Sequence, residues 1–352
     1  MTDQAPRRRS ARPPSQWVDL DGPVHYVEYG GPQEGPLVVC VHGLGGSLVN
    51  WAAVAPTLSR TCRVIALDLA GFGRTRSNGR STSVRANQQL LHRFLTEVCG
   101  DPAILVGNSM GGLIAVLQTA AHPETVAGLV LIDPALPVGL SARPDPVVAG
   151  TFALYAVPAV GRGVVARSRS SRSAEDAALA LLRLCCADPS RVPRPVLQQH
   201  LKLARERHDY PDVDAELIVA ARSLMWVLAR RRAHAAMLRS ITVPVMLLHG
   251  DQDRLVPIAS ARVAAAANPM WRFEVAKGVG HVPQLESPAW TINQILGWLA
   301  TDGVAAAYAA SPEHTSRSEE PAGDGHTEPL LGPAPPPGPR PPPGDRPSRK
   351  PA

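Results

Sequence analysis

A serine that could act as a nucleophile lies in the pattern G-x-S-x-G. It is Ser109, within the stretch LVGNSMGG at 105–112. This pattern fits a sharp turn from a strand into a helix, where flanking glycines prevent backbone crowding around an exposed hydroxyl. The neighbouring sequence agrees, because Ala103–Val106 is a short apolar run typical of a buried strand and 110–122 is typical of an apolar helix. A nucleophilic serine also needs a base, an acid and donors for an oxyanion.

A base and an acid follow later in the chain. His281 lies in GVGHVP at 278–283, directly after the last predicted strand, and HGDQDRLVP at 249–257 follows the strand before it. Catalytic groups of open α/β sheets gather where parallel strands end. The order serine, acid, histidine is expected when loops after later strands serve a nucleophile elbow. His281 would then accept the proton of Ser109, and a carboxylate would orient and stabilise the imidazole.

The donors for an oxyanion are predicted to be two backbone N–H groups. One is that of Met110, directly after the serine, and the other is that of Leu44, in the glycine-rich loop HGLGGS at 42–47. His42 suits a brace for this loop better than a proton carrier. Asn50 suits a helix start, although it could also reach a bound substrate.

These residues require a sheet that brings strand ends together, and the sequence predicts one. Short apolar strands alternate with helices at 50–59, 81–99, 110–122, 258–267 and 287–300. The predicted strands are Val24–Tyr29, Leu37–Val41, Arg63–Leu67, Ala103–Val106, Gly128–Ile132, Val243–His249 and Arg272–Ala276. This rhythm predicts an α/β fold with a mostly parallel twisted sheet covered by helices on both faces.

The domain organisation follows from the places where the alternation of strands and helices stops. We expect a core at 17–137 and 241–302, interrupted by a helical insertion at 138–240 over the carboxyl end of the sheet. Helical spacing in the insertion covers Ala174–Ala187, Arg194–Arg207 and Glu216–Leu238. The segment 1–16 and the proline-rich tail 311–352 are predicted to be disordered. The tail suits a spacer, although such runs can also bind SH3-like or WW-like grooves.

Composition narrows the class of function. The chain has 352 residues, a net charge of +6 and 45% hydrophobic residues but only 4% aromatic ones. Basic residues are not interleaved with aromatic ones, so nucleic-acid binding is not expected. We expect no membrane span, no secretory signal, no metal and no organic cofactor. The five cysteines have no zinc-site spacing and suit buried free thiols, which favours a cytoplasmic location.

Five motifs in this order resemble the α/β-hydrolase family. They are HGLGGS at 42–47, DLAGFGRT at 68–75, GNSMGG at 107–112, HGDQDRLVP at 249–257 and GVGHVPQLESP at 278–288. The resemblance runs from about 24 to 300 and implies that the helical insertion is the family's cap domain. It also implies that Asp253 is the acid, because this residue fills the aspartate position of G-x-x-D-x-x-x-P. Asp133, after an earlier strand, is the alternative acid, since some hydrolases place it there.

The resemblance implies a reaction class but not a substrate. Dehalogenases and epoxide hydrolases of this fold carry aspartate where Ser109 stands, which argues against both. Hydrolysis of a carboxylic ester or thioester through an acyl-enzyme is expected, and the aliphatic insertion favours a small apolar substrate. GNSMGG is also frequent in hydrolases that cleave carbon–carbon bonds of meta-cleavage products. Against that, the oxyanion loop is short and Val282 follows His281. A cofactor-free perhydrolase or haloperoxidase and a non-catalytic ligand-binding protein are the remaining alternatives.

Overall fold

One sheet organises the described part of the chain. The computed structural model describes residues 13–138, 145–156, 163–164, 167 and 171–301, so most of the segment 1–16 and the whole tail 311–352 lie outside it. Within these residues eight strands form a sheet in the order β1-β2-β4-β3-β5-β6-β7-β8. The strands are β1 Ser15–Asp19, β2 Pro23–Gly30, β3 Leu37–Val41, β4 Arg63–Leu67, β5 Ala103–Asn108, β6 Val126–Ile132, β7 Val245–Gly250 and β8 Arg272–Ala276.

The strand directions confirm the predicted fold class. β4, β3, β5, β6, β7 and β8 are parallel, whereas β2 is antiparallel to β4 and β1 is antiparallel to β2. The inner strands β3, β5, β6 and β7 are buried along their whole length. Continuous apolar runs are what a parallel strand needs when helices cover both faces of the sheet.

The helices lie on both faces and in an insertion between β6 and β7. They are α1 Ala55–Leu58, α2 Val84–Phe94, α3 Met110–Ala121, α4 Pro146–Ala156, α5 Ala174–Cys185, α6 Arg194–His208, α7 Val213–Ala229, α8 Arg231–Arg239, α9 Ile258–Ala267, α10 Pro283–Glu286 and α11 Pro288–Leu299. We call α4 to α8, with the described residues that join them, the cap. No helix among the described residues is both long and apolar enough to cross a membrane. The five cysteines are free.

Two aliphatic cores stabilise the sheet, one on each face. One packs strand residues such as Leu105 and Leu131 against Leu91 and Ile114 of α2 and α3. The other packs the opposite sides of the same strands against Trp51, near α1, and against α11. Because both faces are buried, the exposed rims of the sheet are the ends of the strands, which is where the predicted site residues lie.

The structure differs from the sequence predictions at one edge and in the cap. Strand β1 begins at Ser15, inside the segment expected to be disordered. The sequence did not indicate this strand because its residues are half-exposed, lack an apolar run and pair only with β2. Helix α4 was not predicted, since PVVAGTFALYA is apolar on all sides and shows no amphipathic period. The single helix expected at Glu216–Leu238 breaks at Arg230, which has a non-helical ψ of 55°.

Candidate active site

Ser109 forms the turn between β5 and α3 in a conformation that L-residues rarely adopt. Its φ is +55° and its ψ is −120°. The backbone N–H of Ser109 donates to the carbonyl of Ile132 (3.1 Å), and the N–H of Ala135 donates to the carbonyl of Ser109 (2.9 Å). These bonds hold the strained turn from both sides. The structure therefore has the strained strand–turn–helix geometry that the sequence motif predicts.

The flanking glycines are needed for close backbone approach. A Cβ atom on Gly111 would lie 2.2 Å from the carbonyl oxygen of Val41, and one on Gly107 would lie 2.6 Å from the carbonyl oxygen of Gly111. Both obstacles are backbone atoms, so neither can move aside easily. The G-x-S-x-G pattern thus has a steric cause in this fold.

His281 and Asp253 meet as the chain order predicts. Asp253 follows β7, His281 precedes α10, and the imidazole Nδ1 lies 2.7 Å from the carboxylate Oδ2. The other carboxylate oxygen accepts the backbone N–H groups of Leu255 (2.7 Å) and Val256 (3.1 Å). Burial favours a neutral Asp253, but the charge and hydrogen bond of His281 outweigh it and lower the pKa of this carboxyl. An ionised, oriented Asp253 fixes the Nδ1–H tautomer of His281.

The second nitrogen of His281, Nε2, is buried and makes no hydrogen bond within the described part of the chain. The loop that carries it is tied to the elbow by Asn108, the residue before the serine. Asn108 Nδ2 donates to the carbonyl oxygens of His281 and Ile132, each at 3.0 Å. Neighbouring strand ends thus hold the elbow and the histidine loop together.

Asp133, the alternative acid, lies beside this pair in a different role. It follows β6 with a φ of +42°, and its Oδ1 accepts the N–H of Gly250 (2.9 Å). Burial, and then the nearby charge of Asp253, raise the pKa of Asp133 well above its usual value. We therefore interpret Asp133 as a neutral carboxylic acid and Asp253 as the partner of His281.

The same cluster contains metal-binding residue types. One ligand atom from each of Asp133, Asp253 and His281 lies within 4.8 Å of the other two. His249 adjoins both carboxylates at 3.5 Å, but its Nε2 donates to the carbonyl of Val256 (2.8 Å) and burial lowers its pKa. Since His281 Nδ1 is engaged by Asp253, we interpret the cluster as a hydrogen-bonded acid–base unit.

The predicted oxyanion loop lies directly against the elbow. A Cβ atom on Gly43 would stand 3.0 Å from the Cβ of Ser109, so Leu44 follows the point of closest approach. Met110 opens α3, where the N–H groups of the first turn lack helical acceptors. Both predicted donors therefore come from segments next to the serine. His42 braces the loop: its Nδ1 donates to the carbonyl of Gly43 (2.8 Å) and its Nε2 accepts the N–H of Leu69 (3.1 Å). Burial lowers the pKa of His42, which keeps it neutral.

Asn50 supports the turn that follows the oxyanion loop. It is buried, and its Oδ1 lies 3.5 Å from the backbone nitrogen of Ser47, whose Oγ accepts the N–H of Val49 (3.2 Å). This arrangement caps a short helical turn. A contact between Asn50 and a substrate stays a prediction.

The cap places apolar side chains above the oxyanion loop. Methyl groups of Leu181 on α5 and Leu217 on α7 lie 3.9 and 4.0 Å from the position of a Cβ on Gly45. Leu182, the next residue on α5, is instead buried in the core. An acyl chain in this space would meet aliphatic carbon.

Polar contacts attach the cap to the loop after β4. Arg207 on α6 donates to the carbonyl oxygens of Gly71 (2.8 Å) and Gly73. Arg74 forms an ion pair with Glu206 at 2.8 Å. Asp68 holds this loop to the core, because its carboxylate accepts from Leu48, Arg74 and His25 at 2.7 to 2.8 Å.

Sequence reasoning missed two buried polar residues of this site, Asn108 and Glu286. Both lie inside the quoted motifs, but most of their partners are backbone groups of distant segments, which a sequence does not show. Their signal was the residue type: an amide and a carboxylate in otherwise apolar, buried stretches require hydrogen-bond partners.

The fold and this geometry agree with comparison to known proteins. The family model described as alpha/beta hydrolase fold matches residues 36–288. The chain belongs to this family and is an α/β-hydrolase, as the motifs predict.

Individual relatives extend the comparison. Monoacylglycerol lipase ABHD6 of Homo sapiens is 25% identical over 288 residues, 79% of this chain and 81% of the relative. A membrane phospholipase A described as a bacterial virulence factor has a similar crystal structure, with 26% identity, a TM-score of 0.63 and coverage of 84% of this chain and 87% of that one. A 2-hydroxy-6-oxo-6-phenylhexa-2,4-dienoate hydrolase from Rhodococcus sp. strain RHA1 shares the fold at 22% identity, with a TM-score of 0.63 and coverage of 82% and 100%.

Proposed function

We propose that this protein is a serine hydrolase that cleaves a carboxylic ester through an acyl-enzyme. The observation that carries the proposal is the 2.7 Å contact between His281 Nδ1 and Asp253 Oδ2, with the imidazole Nε2 buried and unengaged within the described chain. A histidine that acts as the general base for a neighbouring serine needs an ionised partner at Nδ1 and an unengaged Nε2.

The reaction follows from these positions. Ser109 Oγ attacks the ester carbonyl while its proton passes to His281 Nε2, and Asp253 stabilises the imidazolium. The N–H groups of Leu44 and Met110 bind the oxyanion. Collapse of the tetrahedral intermediate expels the alcohol, which takes the proton from His281. Water then gives a proton to the same nitrogen, attacks the acyl-enzyme and releases the acid, and Ser109 regains its proton.

We infer that the substrate is a small molecule with an apolar acyl group. Leu181 and Leu217 support this, because they place aliphatic carbon above the oxyanion loop. The names of two relatives, a monoacylglycerol lipase and a phospholipase A, favour acyl esters. No organic cofactor, metal or nucleic acid takes part in the proposed reaction, and a cytoplasmic location remains part of the proposal.

The test is hydrolysis of p-nitrophenyl esters from acetate to palmitate by the wild-type protein and by Ser109→Ala. We expect turnover that the substitution abolishes, with the optimal chain length measuring the acyl space. Ser59→Ala, at the half-buried C-terminal end of α1, is the matched control and should retain activity. A fluorophosphonate should label Ser109, as peptide mapping would show.

The ester assay also separates the alternatives. Cleavage of a meta-cleavage product at a rate well above that of every ester would favour carbon–carbon hydrolysis. Peracid formation from acetate and hydrogen peroxide that outpaces ester hydrolysis would favour a perhydrolase. An intact protein inert in all three assays and unlabelled at Ser109 would indicate a binding protein.

A further inference from the structure

A buried carboxylate lies between the cap and the loop that carries His281. It belongs to Glu286, the last residue of α10, and its side chain is fully buried. A carboxylate without water is costly unless hydrogen-bond donors replace its hydration. The donors that surround Glu286 come from two separate parts of the chain.

Three backbone N–H groups donate to Glu286. Gly280, the residue before His281, donates to Oε2 at 2.8 Å. Ala187 donates to the same oxygen at 3.1 Å, and Asp188 donates to Oε1 at 2.8 Å. Ala187 and Asp188 belong to the segment that follows α5 in the cap. One carboxylate thus binds the cap and the histidine loop together with charge-assisted hydrogen bonds.

Direct contacts between the same two segments reinforce this junction. The N–H of His281 itself donates to the carbonyl of Cys185 at 2.6 Å. Arg191 Nη1 donates to the carbonyl of Gly278 at 2.9 Å and lies 3.8 Å from Glu286 Oε1. A Cβ on Gly280 would lie 2.4 Å from the carbonyl oxygen of Cys185, so the two backbones are in close contact. We call this junction of residues 185–191 with 278–286 the clamp.

We propose that Glu286 is a positioning residue that sets the place of His281 by clamping its loop to the cap. This inference rests on the proposed function, because it assigns His281 the role of base. The cap is therefore part of the acid–base machinery as well as a cover over the substrate. A displacement of residues 185–188 would move His281 relative to Ser109.

The clamp requires a carboxylate and not merely a side chain of this size. Two oxygens accept three N–H groups, and a glutamine has only one oxygen. In Glu286→Gln the amide –NH₂ must face at least one backbone N–H, which replaces attraction with repulsion between donors. We expect the histidine loop to lose its fixed position while Ser109, Asp253 and the cap side chains stay in place.

The kinetic test compares Glu286→Gln with Glu206→Gln. Glu206 also joins the cap to the core, but through Arg74 of the loop after β4 and not through the histidine loop. The expected result for Glu286→Gln is a loss of kcat of about tenfold or more per site labelled by fluorophosphonate, with KM for the same ester within about threefold. Glu206→Gln should keep kcat. A structural role alone would reduce the labelled fraction but leave kcat per labelled site unchanged, which would overturn the proposal.

Hydrogen exchange tests the clamp independently of activity. In Glu286→Gln the amides of residues 185–188 and 279–282 should exchange faster together, while those of β5 stay protected. Unchanged exchange in either segment would overturn the proposal. If the wild-type protein cleaved no ester, the proposed function would fail, and this exchange pattern alone would still decide whether Glu286 clamps the two segments.

A milder variant covers the case in which Glu286→Gln does not fold. Arg191 is half exposed, so Arg191→Ala should fold, and it removes the bond to Gly278 from the same clamp. We expect a smaller loss of kcat in the same direction and faster exchange in the same two segments. A wild-type kcat together with wild-type amide exchange in these segments would contradict the proposal.

Discussion

The two buried carboxylates beside His281 should respond very differently to the same isosteric change. Asp253→Asn replaces an ionised group that holds His281 Nδ1 at 2.7 Å. Asp133→Asn replaces a group that we interpret as already neutral. Comparing the two variants therefore shows which of the two carboxyls is the acidic partner of His281.

The magnitude follows from the spacing of the cluster. Two carboxylates with oxygens within 4.8 Å would repel each other by about 3 kcal/mol or more at an effective dielectric constant of about 20. Burial and this repulsion together raise the pKa of Asp133 well above its usual value, so we interpret only one of the two carboxyls as ionised near neutral pH. Within the described residues, the Asp253 carboxylate accepts two backbone N–H groups and contacts His281 Nδ1, whereas the Asp133 carboxyl accepts the one backbone N–H of Gly250. The negative charge accordingly resides on Asp253.

We expect Asp253→Asn to lower kcat by roughly 10³- to 10⁴-fold, because the imidazolium loses its charge partner and the Nδ1–H tautomer is no longer fixed. Asp133→Asn should change kcat by less than about threefold, since a neutral acid and an amide have similar shape and charge. The assay is kcat on the best p-nitrophenyl ester, normalised to fluorophosphonate-labelled sites. A large loss in Asp133→Asn together with a small one in Asp253→Asn would refute the assignment of the acid.

Three further predictions concern stability and positioning. Asn108→Asp cannot donate to the carbonyl oxygens of His281 and Ile132. We therefore expect urea unfolding to show a loss of about 1 to 3 kcal/mol in the free energy of unfolding, together with a lower kcat. A wild-type free energy of unfolding and a wild-type kcat would show that the two hydrogen bonds of Asn108 are dispensable. Gly111→Ala should prevent folding, because its Cβ would lie 2.2 Å from the Val41 carbonyl oxygen. The matched variant Gly297→Ala in α11 places a Cβ with nothing within 4 Å and should raise the free energy of unfolding by about 0.5 to 1 kcal/mol. Equal melting temperatures of the two variants would contradict the steric argument. Burial lowers the pKa of His234 to about 4 from 6.5, so the unfolded chain binds more protons between these values and stability should fall as the pH drops through this range. His234→Leu should flatten that slope by up to about 1.4 kcal/mol per pH unit in urea titrations at pH 5 and 6, and an unchanged slope would mean that other groups cause it.

The elbow was predictable because its requirements are local. Ser109 at a positive φ and the close backbone approach at Gly107 and Gly111 demand particular residues at fixed spacing. The buried strands were predictable for the same reason, since a parallel strand covered on both faces must be apolar throughout. Helix α4 was missed because it lacks an amphipathic period and Gly150 interrupts it, although Asp145 and Pro146 do mark its start. The break at Arg230 was missed because no glycine or proline marks it.

The acid and the clamp needed three-dimensional structure for a different reason. Asp133 and Asp253 both follow strands that end at the same rim, and only their backbone donors distinguish the ionised group from the neutral one. Glu286 lies within a recognised motif, yet its partners Ala187 and Asp188 are in the cap, nearly a hundred positions away in the chain. Local sequence indicates the candidate reacting groups, whereas their protonation and alignment depend on backbone amides of remote segments. Because one of those segments is the cap, the proposed function implies that variation of the cap would change both the space for the acyl group and the alignment of the base.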